Sequence, residues 1–423
     1  MAIAILFGSF IALIFLGMPI GYAIGLSTML SVLTDPIVPF TTLTQNCITG
    51  VDSFPLMAVP FFMLAGNLMT CGGIAERIVH LCDVLFGRLT GGLAVVTVVA
   101  CMFYAALSGS AVATTTGVGA FMIPSMAERG YNKSFAASVT AAAGSIGVII
   151  PPSIPFVIYG VAVNCSIGDL FIAGVMPGIA MGVALIIMSI IYCKKHGYGG
   201  DKTHYGLKGL WKAFYRAIFA LLMPVIILGG IYTGIFTPTE SACVACVYCI
   251  IISVLVYREM SLKALYDAFN ETMCVNGLST FMVGMSMAFA VYLNVENIPA
   301  TIADWMLGIT DNKILLLIMI NIFLLVVGCL VDNIPATIIL APILLPIVES
   351  VGMDPVQFGI MLTMNLAIGF VTPPYGINIF VASAISHIPM MKMMRTTVMC
   401  LITLLIVLML VTYWPWFTMV FVS

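Results

Sequence analysis

Charge is what this chain of 423 residues has least of. Lys and Arg number 15 and Asp and Glu 17, together 8% of the chain, against roughly a quarter in ordinary soluble domains. A soluble fold cannot conceal the 62% of residues that are hydrophobic, whereas a bilayer can. No basic run interleaved with aromatics is present, which sets aside nucleic acid as a partner. No Gly-rich loop ending in Lys-Ser is present either, which sets aside ATP hydrolysis. The four histidines, His80, His196, His204 and His387, fall near expected loop ends. No Ser-His pair or metal-ligating cluster therefore lies at membrane depth, and an enzyme is disfavoured. The first basic residues are also missing where a secretory signal would carry them: residues 2–33 hold no Lys or Arg. They read as retained membrane segments, one tilted span or two short ones broken at Gly17-Met18-Pro19. Cysteine is not scarce. Cys243, Cys246 and Cys249 have helical spacing, yet no His or second Cys pair accompanies them, so the twelve Cys and thirty Met read as packing residues.

A spanning helix takes about 20 apolar residues, so the length accommodates on the order of ten to fourteen membrane segments. Six of the fifteen basic residues, Lys194, Lys195, Lys202, Lys208, Lys212 and Arg216, crowd into the longest polar stretch. The positive-inside rule puts that stretch in the cytoplasm. Spans at 168–191 and 134–163 then leave Asp169 outside and Arg129 and Lys133 inside. Downstream, spans at 216–234, 241–256 and 273–292 place Arg258 and Lys263 inside and Glu296, Asp304 and Asp311 outside. Residues 355–386 run from acidic Glu349 and Asp354 outside to His387, Lys392 and Arg395 inside.

The chain also repeats. GSIGVIIPPSIPF at 144–156 resembles LAIGFVTPPYGIN at 366–378. Gly147 pairs with Gly369, Pro151 with Pro373 and Pro152 with Pro374, each 222 residues apart; the same offset pairs Ser110 with Asp332, Thr115 with Thr337 and Pro124 with Pro346. Further upstream the offset drifts slightly, with Pro19 facing Pro238 and Phe61 facing Phe281, and this favours two short helices in the first fifty residues. Loops that match in sequence differ in charge. Arg77 and Arg88 match the region of Glu296, Asp304 and Asp311, and Arg129 and Lys133 match Glu349 and Asp354. Basic in one half and acidic in the other means opposite sides of the membrane, the mark of an inverted-topology repeat. The expected organisation is an all-α polytopic membrane protein. Its first repeat is 1–191, with a hairpin at about 89–128 and a broken helix at about 134–163. A cytoplasmic connector follows at 192–216. The second repeat is 217–423, with a hairpin at about 312–348 and a broken helix at about 355–386.

Each hairpin is a candidate re-entrant element. ALSGSAVATTTGVG at 106–119 lies in the charge-free stretch 89–127, and both ends of that stretch are basic. Two full spans joined by a tight turn fit the same length. The counterpart, LVDNIPATIILAP at 330–342, carries Asp332 at membrane depth. There a carboxylate costs about 2.5–3.5 kcal/mol on insertion scales and is functional by default. It can also cap the helix that follows, and the two roles coexist. Each half then has a Pro-Pro break, where lost amide donors free the preceding carbonyls: Gly147, Val148, Ile149 and Ile150, and Gly369, Phe370, Val371 and Thr372. Carbonyls with hydroxyls make an oxygen shell for a hard cation such as sodium. The candidate sodium residues are Ser108, Ser110, Gly147, Ile150 and Pro152 in one half, and Asp332, Gly369, Thr372 and Pro374 in the other. Half-helix amino termini favour anions. The candidate substrate donors beside them are Thr114, Thr115, Thr116, Asn365, Tyr375 and Asn378. Sodium at the tips would organise the anion site, coupling transport to the ion gradient without ATP.

These features resemble the large membrane subunit of tripartite ATP-independent periplasmic (TRAP) transporters. The motifs are GMPIGYAIG (17–25), VPFFMLAGNLM (59–69), the SGS tip, IIPPS, GIFTPTES (234–241), the Asp332 segment and NLAIGFVTPPYGIN. They occur in order across essentially the whole chain. The resemblance implies an elevator-type, sodium-driven importer of the bacterial inner membrane. It also implies a separate small four-helix membrane subunit and a soluble periplasmic binding protein as partners. Its substrate would be a small organic anion such as a sialic acid or a C4-dicarboxylate. A stand-alone dicarboxylate symporter of related hairpin architecture would need no binding protein. A channel would need a continuous hydrophilic pore.

Overall fold

In a computed structural model the described residues are 2–34, 38–199, 207–309, 312–374 and 376–422, and among them regular structure is entirely helical. Two helices, α1 (Ala2–Phe15) and α2 (Ile20–Thr34), occupy the amino terminus, because Pro19 starts a new helix where it cannot continue the old one. α3 (Phe40–Thr49), α4 (Ala58–Cys71) and the amphipathic α5 (Ile74–Phe86) follow. α6 (Gly92–Ser108) and α7 (Ala111–Glu128) form the first hairpin. α8 (Lys133–Gly144) and α9 (Ile154–Val163) are the two parts of the first interrupted helix, and α10 (Ile167–His196) closes the half. The second half starts with α11 (Leu207–Tyr232), α12 (Pro238–Ile251), α13 (Leu262–Val295) and the short α14 (Ile298–Ile309). α15 (Lys313–Gly328) and α16 (Asn333–Ser350) form its hairpin, and α17 (Pro355–Gly369) and α18 (Ile377–Ser386) its interrupted helix. α19 (Met390–Tyr413) and α20 (Pro415–Met419) end the chain. Among the described residues seven helices are long and apolar enough to cross a membrane; the hairpin and interrupted elements are mostly shorter apolar helices.

Several elements are longer than their sequence signals. α10 runs on through Tyr192 to His196, because Lys194, Lys195 and His196 complement the carboxyl end of its dipole. α11 already begins at Leu207, where Ala213 and Ala217 pack on Leu81 and Val84 of α5. Helix thus occupies both ends of the stretch expected as a connector, and Lys202 lies outside the described residues. α13 extends eleven residues before the expected start at Met273, because the Ser261 hydroxyl caps it by accepting from Ala264 N at 3.1 Å.

The two halves exchange contacts reciprocally. α7 packs on α18 as α16 packs on α9, α8 on α19 as α17 on α10, and α4 on α12 as α13 on α2. Their directions are opposed. Tyr159 of α9 donates to Pro355 O at the start of α17 (2.7 Å), while Asn378 of α18 donates to Ala141 O of α8 (3.2 Å). At one end of the molecule Ser138 of α8 meets Thr396 and Thr397 of α19, between Lys133 and Arg395. At the other, Cys165 lies within electrostatic reach of Asp354 and Asp169, and Lys313 donates to Gly352 O across the base of the second hairpin. The hairpins therefore enter from opposite ends, one basic and one acidic, as an inverted repeat requires.

Candidate functional site

Both hairpin tips are built by a break in helix followed by a polar cap. In the first, Gly109 turns the chain at φ +61°, a conformation cheap only for glycine. A Cβ there would stand 2.7 Å from Pro152 O, so the tip rests directly on the Pro-Pro break. The Gly109 carbonyl accepts from Ile154 N at 3.3 Å, stitching the tip to α9. Ser110 then caps α7 by accepting from Ala113 N at 3.4 Å. In the second, Asp332 caps α16, its Oδ1 accepting from Asn333 N at 2.8 Å. The Thr372 hydroxyl bonds back onto α17, donating to Ile368 O at 2.9 Å.

The first break gathers oxygens. The Thr114 hydroxyl donates to Ser110 O at 2.7 Å and lies 3.0 Å from the Ser108 hydroxyl. Gly147 approaches so closely that a Cβ would be 2.5 Å from Thr114 Oγ1 and 2.6 Å from Ser110 O. Ser108, Thr114, Gly147, Pro152 and Ser153 are buried, and half-buried Ile150 is pressed against Gly178 of α10. The Ser153 hydroxyl caps the break by donating to Val148 O at 2.6 Å. The second break is differently closed. Gly369 lies against the backbone of Gly328, where a Cβ would be 2.2 Å from its oxygen. Thr372 and Asp332 are half-buried and Pro374 is exposed, in contrast to Pro152.

The expected substrate donors separate. Thr114 joins the oxygen cluster, and buried Thr115 bonds its own helix at Ala111 O while packing on Gly144. Thr116 alone of the three is exposed, and it lines the cavity described below. Asn365 is fully buried away from that cavity, bridging Asn321 Oδ1 and Met361 O at 2.8 Å each. The Asn378 amide nitrogen donates to Ala141 O, and Tyr375 lies outside the described residues.

A cavity of about 530 Å³ joins the two tips. Ser110 and Asp332 both line it, and its far wall is α4 and α13, where Asn67 donates to Thr272 at 2.9 Å. The first residues of α7 and α9 and of α16 and α18, namely Ala111, Ile154, Asn333 and Ile377, all line it. Four helix amino termini, each worth about half a positive charge, thus face one space. Asn333 contributes more: it is buried, its Oδ1 accepts from Thr337, and its Nδ2 donor has no hydrogen-bond partner among the described residues. The cavity reaches Cys71 and Glu271, toward the end where Arg77 of α5 grips Glu259 at 2.7 Å.

Sequence reasoning passed over Asn333 and Glu271. Asn333 was visible only as the start of a helix. Glu271 fell outside a span counted from Met273, although a carboxylate four residues after Asp267 on one helix face was the available signal.

Residues 7–417 match the family described as Tripartite ATP-independent periplasmic transporter, DctM component. The chain is 44% identical over 99% of its length to the isethionate TRAP transporter permease protein DctMQ of Oleidesulfovibrio alaskensis, and spans 66% of that protein. It is 38% identical to the sialic acid TRAP transporter large permease protein SiaM of Vibrio cholerae, covering 97% of this chain and 96% of that one. It is 36% identical to the C4-dicarboxylate TRAP transporter large permease protein DctM of Rhodobacter capsulatus, covering 98% and 97%. Among solved structures, the YdaH transporter of Alcanivorax borkumensis superposes with a TM-score of 0.61 at 14% identity, covering 89% of this chain and 88% of that one. That is a likeness of fold.

Proposed function

Because the chain belongs to the DctM component family of tripartite ATP-independent periplasmic transporters, multi-pass proteins of the bacterial inner membrane, we propose that it is the translocating subunit of a sodium-driven importer of a small organic anion. The observation that carries the reading is the cavity shared by both tips. Four helix amino termini and the unpartnered Asn333 amide offer positive ends and a donor to an anion. Asp332 and the Ser108–Ser110–Thr114–Gly147 cluster offer oxygens to sodium on either side. Ion and substrate then share the elements that hold them, so binding of each strengthens binding of the other.

In this reading the two hairpins and two interrupted helices move together as an elevator. The remaining early helices of each half, α1–α5 and α11–α14, form the static wall. Substrate arrives on a soluble periplasmic binding protein, and a small four-helix membrane subunit packs on the wall. The names of the relatives, isethionate, sialic acid and C4-dicarboxylate permeases, support a small organic acid as the cargo without choosing among them.

The test is uptake into proteoliposomes with each component omitted in turn, under separately imposed sodium and proton gradients. Uptake should require the inward sodium gradient and all three components. Uptake driven by protons alone would remove the sodium reading. Robust uptake by the 423-residue chain alone would instead make it a stand-alone symporter.

A further inference from the structure

The cavity holds two charged side chains, and both are acidic. Asp332 sits on the second hairpin tip, and Glu271 sits on α13, the opposing wall. Among the described residues no Lys, Arg or His lines the space. A cation held at Asp332 neutralises that carboxylate, which leaves Glu271 as the fixed charge that the substrate meets. Glu271 is exposed to the cavity, on the wall that also carries Thr70, Asn67 and Cys71. The positive helix ends and the unpartnered Nδ2 of Asn333 are gathered on the hairpin side.

A ligand in this space therefore finds an anion-favouring pole and an anion-repelling pole. Its acidic group belongs at the helix ends and Asn333. Whatever reaches α13 must be neutral or a hydrogen-bond donor. A second acidic group on the same small molecule is directed toward the α13 wall, where it meets the like charge of Glu271.

We infer that Glu271 is a specificity-determining residue that restricts this permease to monoanions carrying hydroxyl or other donor groups at their far end, and excludes dicarboxylates. The inference rests on the cavity being the substrate site. Hydroxyalkyl sulfonates and monocarboxylic sugar acids meet the description; C4-dicarboxylates do not.

Cys71 supplies the probe, being an exposed thiol on the same wall, and Cys243, exposed on α12 outside the cavity, serves as reference. The full chain in nanodiscs with saturating sodium is alkylated in the presence of isethionate, N-acetylneuraminate, succinate or malate, and labelling at each cysteine is read by peptide mass spectrometry. A monoanion should protect Cys71 at concentrations on the order of tenfold or more below either dicarboxylate. Glu271→Gln should collapse that ratio toward one, chiefly by admitting the dicarboxylates, while Glu271→Asp should preserve it. Cys243 should label equally throughout. Equal protection of the wild-type chain by both classes, or an unchanged ratio in Glu271→Gln, overturns the inference while leaving the cavity as the substrate site. Protection by no anion overturns that site reading, and this inference with it.

Discussion

Ser110 and Asp332 hold one station in two halves of the chain: each is the cap of the returning arm of its hairpin, and each lines the common cavity. Substituting the two therefore separates capping from charge. Asp332→Asn keeps a capping oxygen and removes the charge, whereas Asp332→Ala removes both. Loss of a cap costs about 1 kcal/mol. If Asp332 binds sodium, Asp332→Asn should leave the thermal midpoint near wild type while sodium-driven uptake falls at least tenfold. Wild-type sodium affinity in Asp332→Asn would leave the residue a cap alone.

At the first break, Gly147→Ala should act through space. Its methyl group would meet Thr114 Oγ1 and Ser110 O at 2.5 and 2.6 Å, so the oxygen cluster must open. We expect the sodium concentration for half-maximal uptake to rise severalfold in Gly147→Ala, Ser108→Ala and Ser110→Ala, with a smaller fall in maximal rate. An unchanged sodium curve in the Ser108/Ser110 double substitution would take the cluster out of ion binding.

Ser138 is pinned between the halves, 2.7 Å from the Thr396 hydroxyl and 3.0 Å from that of Thr397. Interhelical hydrogen bonds in membranes average about 0.6 kcal/mol. Ser138→Ala should lower the thermal midpoint by a few degrees and leave the preference among anions untouched. A changed preference would mean that the pin reaches the site.

The Arg77–Glu259 pair predicts a pH dependence. The hydrogen bond from Arg77 holds the Glu259 carboxyl below the usual carboxylate range. A lowered folded pKa means that the pair's contribution is full above the ordinary carboxylate value and is lost as pH falls through the lowered one. Glu259 is exposed and Arg77 half-buried, so solvent screens the pair and its contribution is small, about 0–1 kcal/mol. The difference in thermal midpoint between wild type and Glu259→Gln should be flat from neutrality to about pH 5 and shrink below that. A difference that grows with acidification would contradict the assignment.

Orientation is testable by charge. Single cysteines placed at Asp169 and Glu349 should label from the periplasm, and one at Lys202 should not. The reverse pattern would invert every assignment of sides.

The hairpins and interrupted helices were legible because each is bounded by features that sequence states outright: charged ends, a Ser-Gly-Ser or Asp-Asn turn, and Pro-Pro. The inverted relation was legible from the sign of matched loops, and the opposed contacts of Tyr159 and Asn378 agree with it. Which face of a helix meets the cavity was not legible. Successive residues are about 100° apart around a helix, so Thr114, Thr115 and Thr116 look alike in sequence and point to an oxygen cluster, a neighbouring helix and the cavity respectively. Asn365 reads as a polar group beside a break. Only packing reveals that it faces Asn321 of α15, holding the hairpin arm to α17. Glu271 was hidden by a span counted from Met273 rather than from the Ser261 cap.

The unequal closure of the two breaks bears on ion access. Pro152 and Thr114 are sealed by their surroundings, whereas Pro374 is exposed and Asp332 opens to the cavity. An ion at the Asp332 station can exchange with the cavity while the first hairpin stays shut. The oxygen cluster of the first half meets the same cavity at Ser108 and Ser110, and the tip resting on Pro152 covers the rest of it. On the sodium reading the two stations are therefore unequal in access, the Asp332 station being the more open of the two.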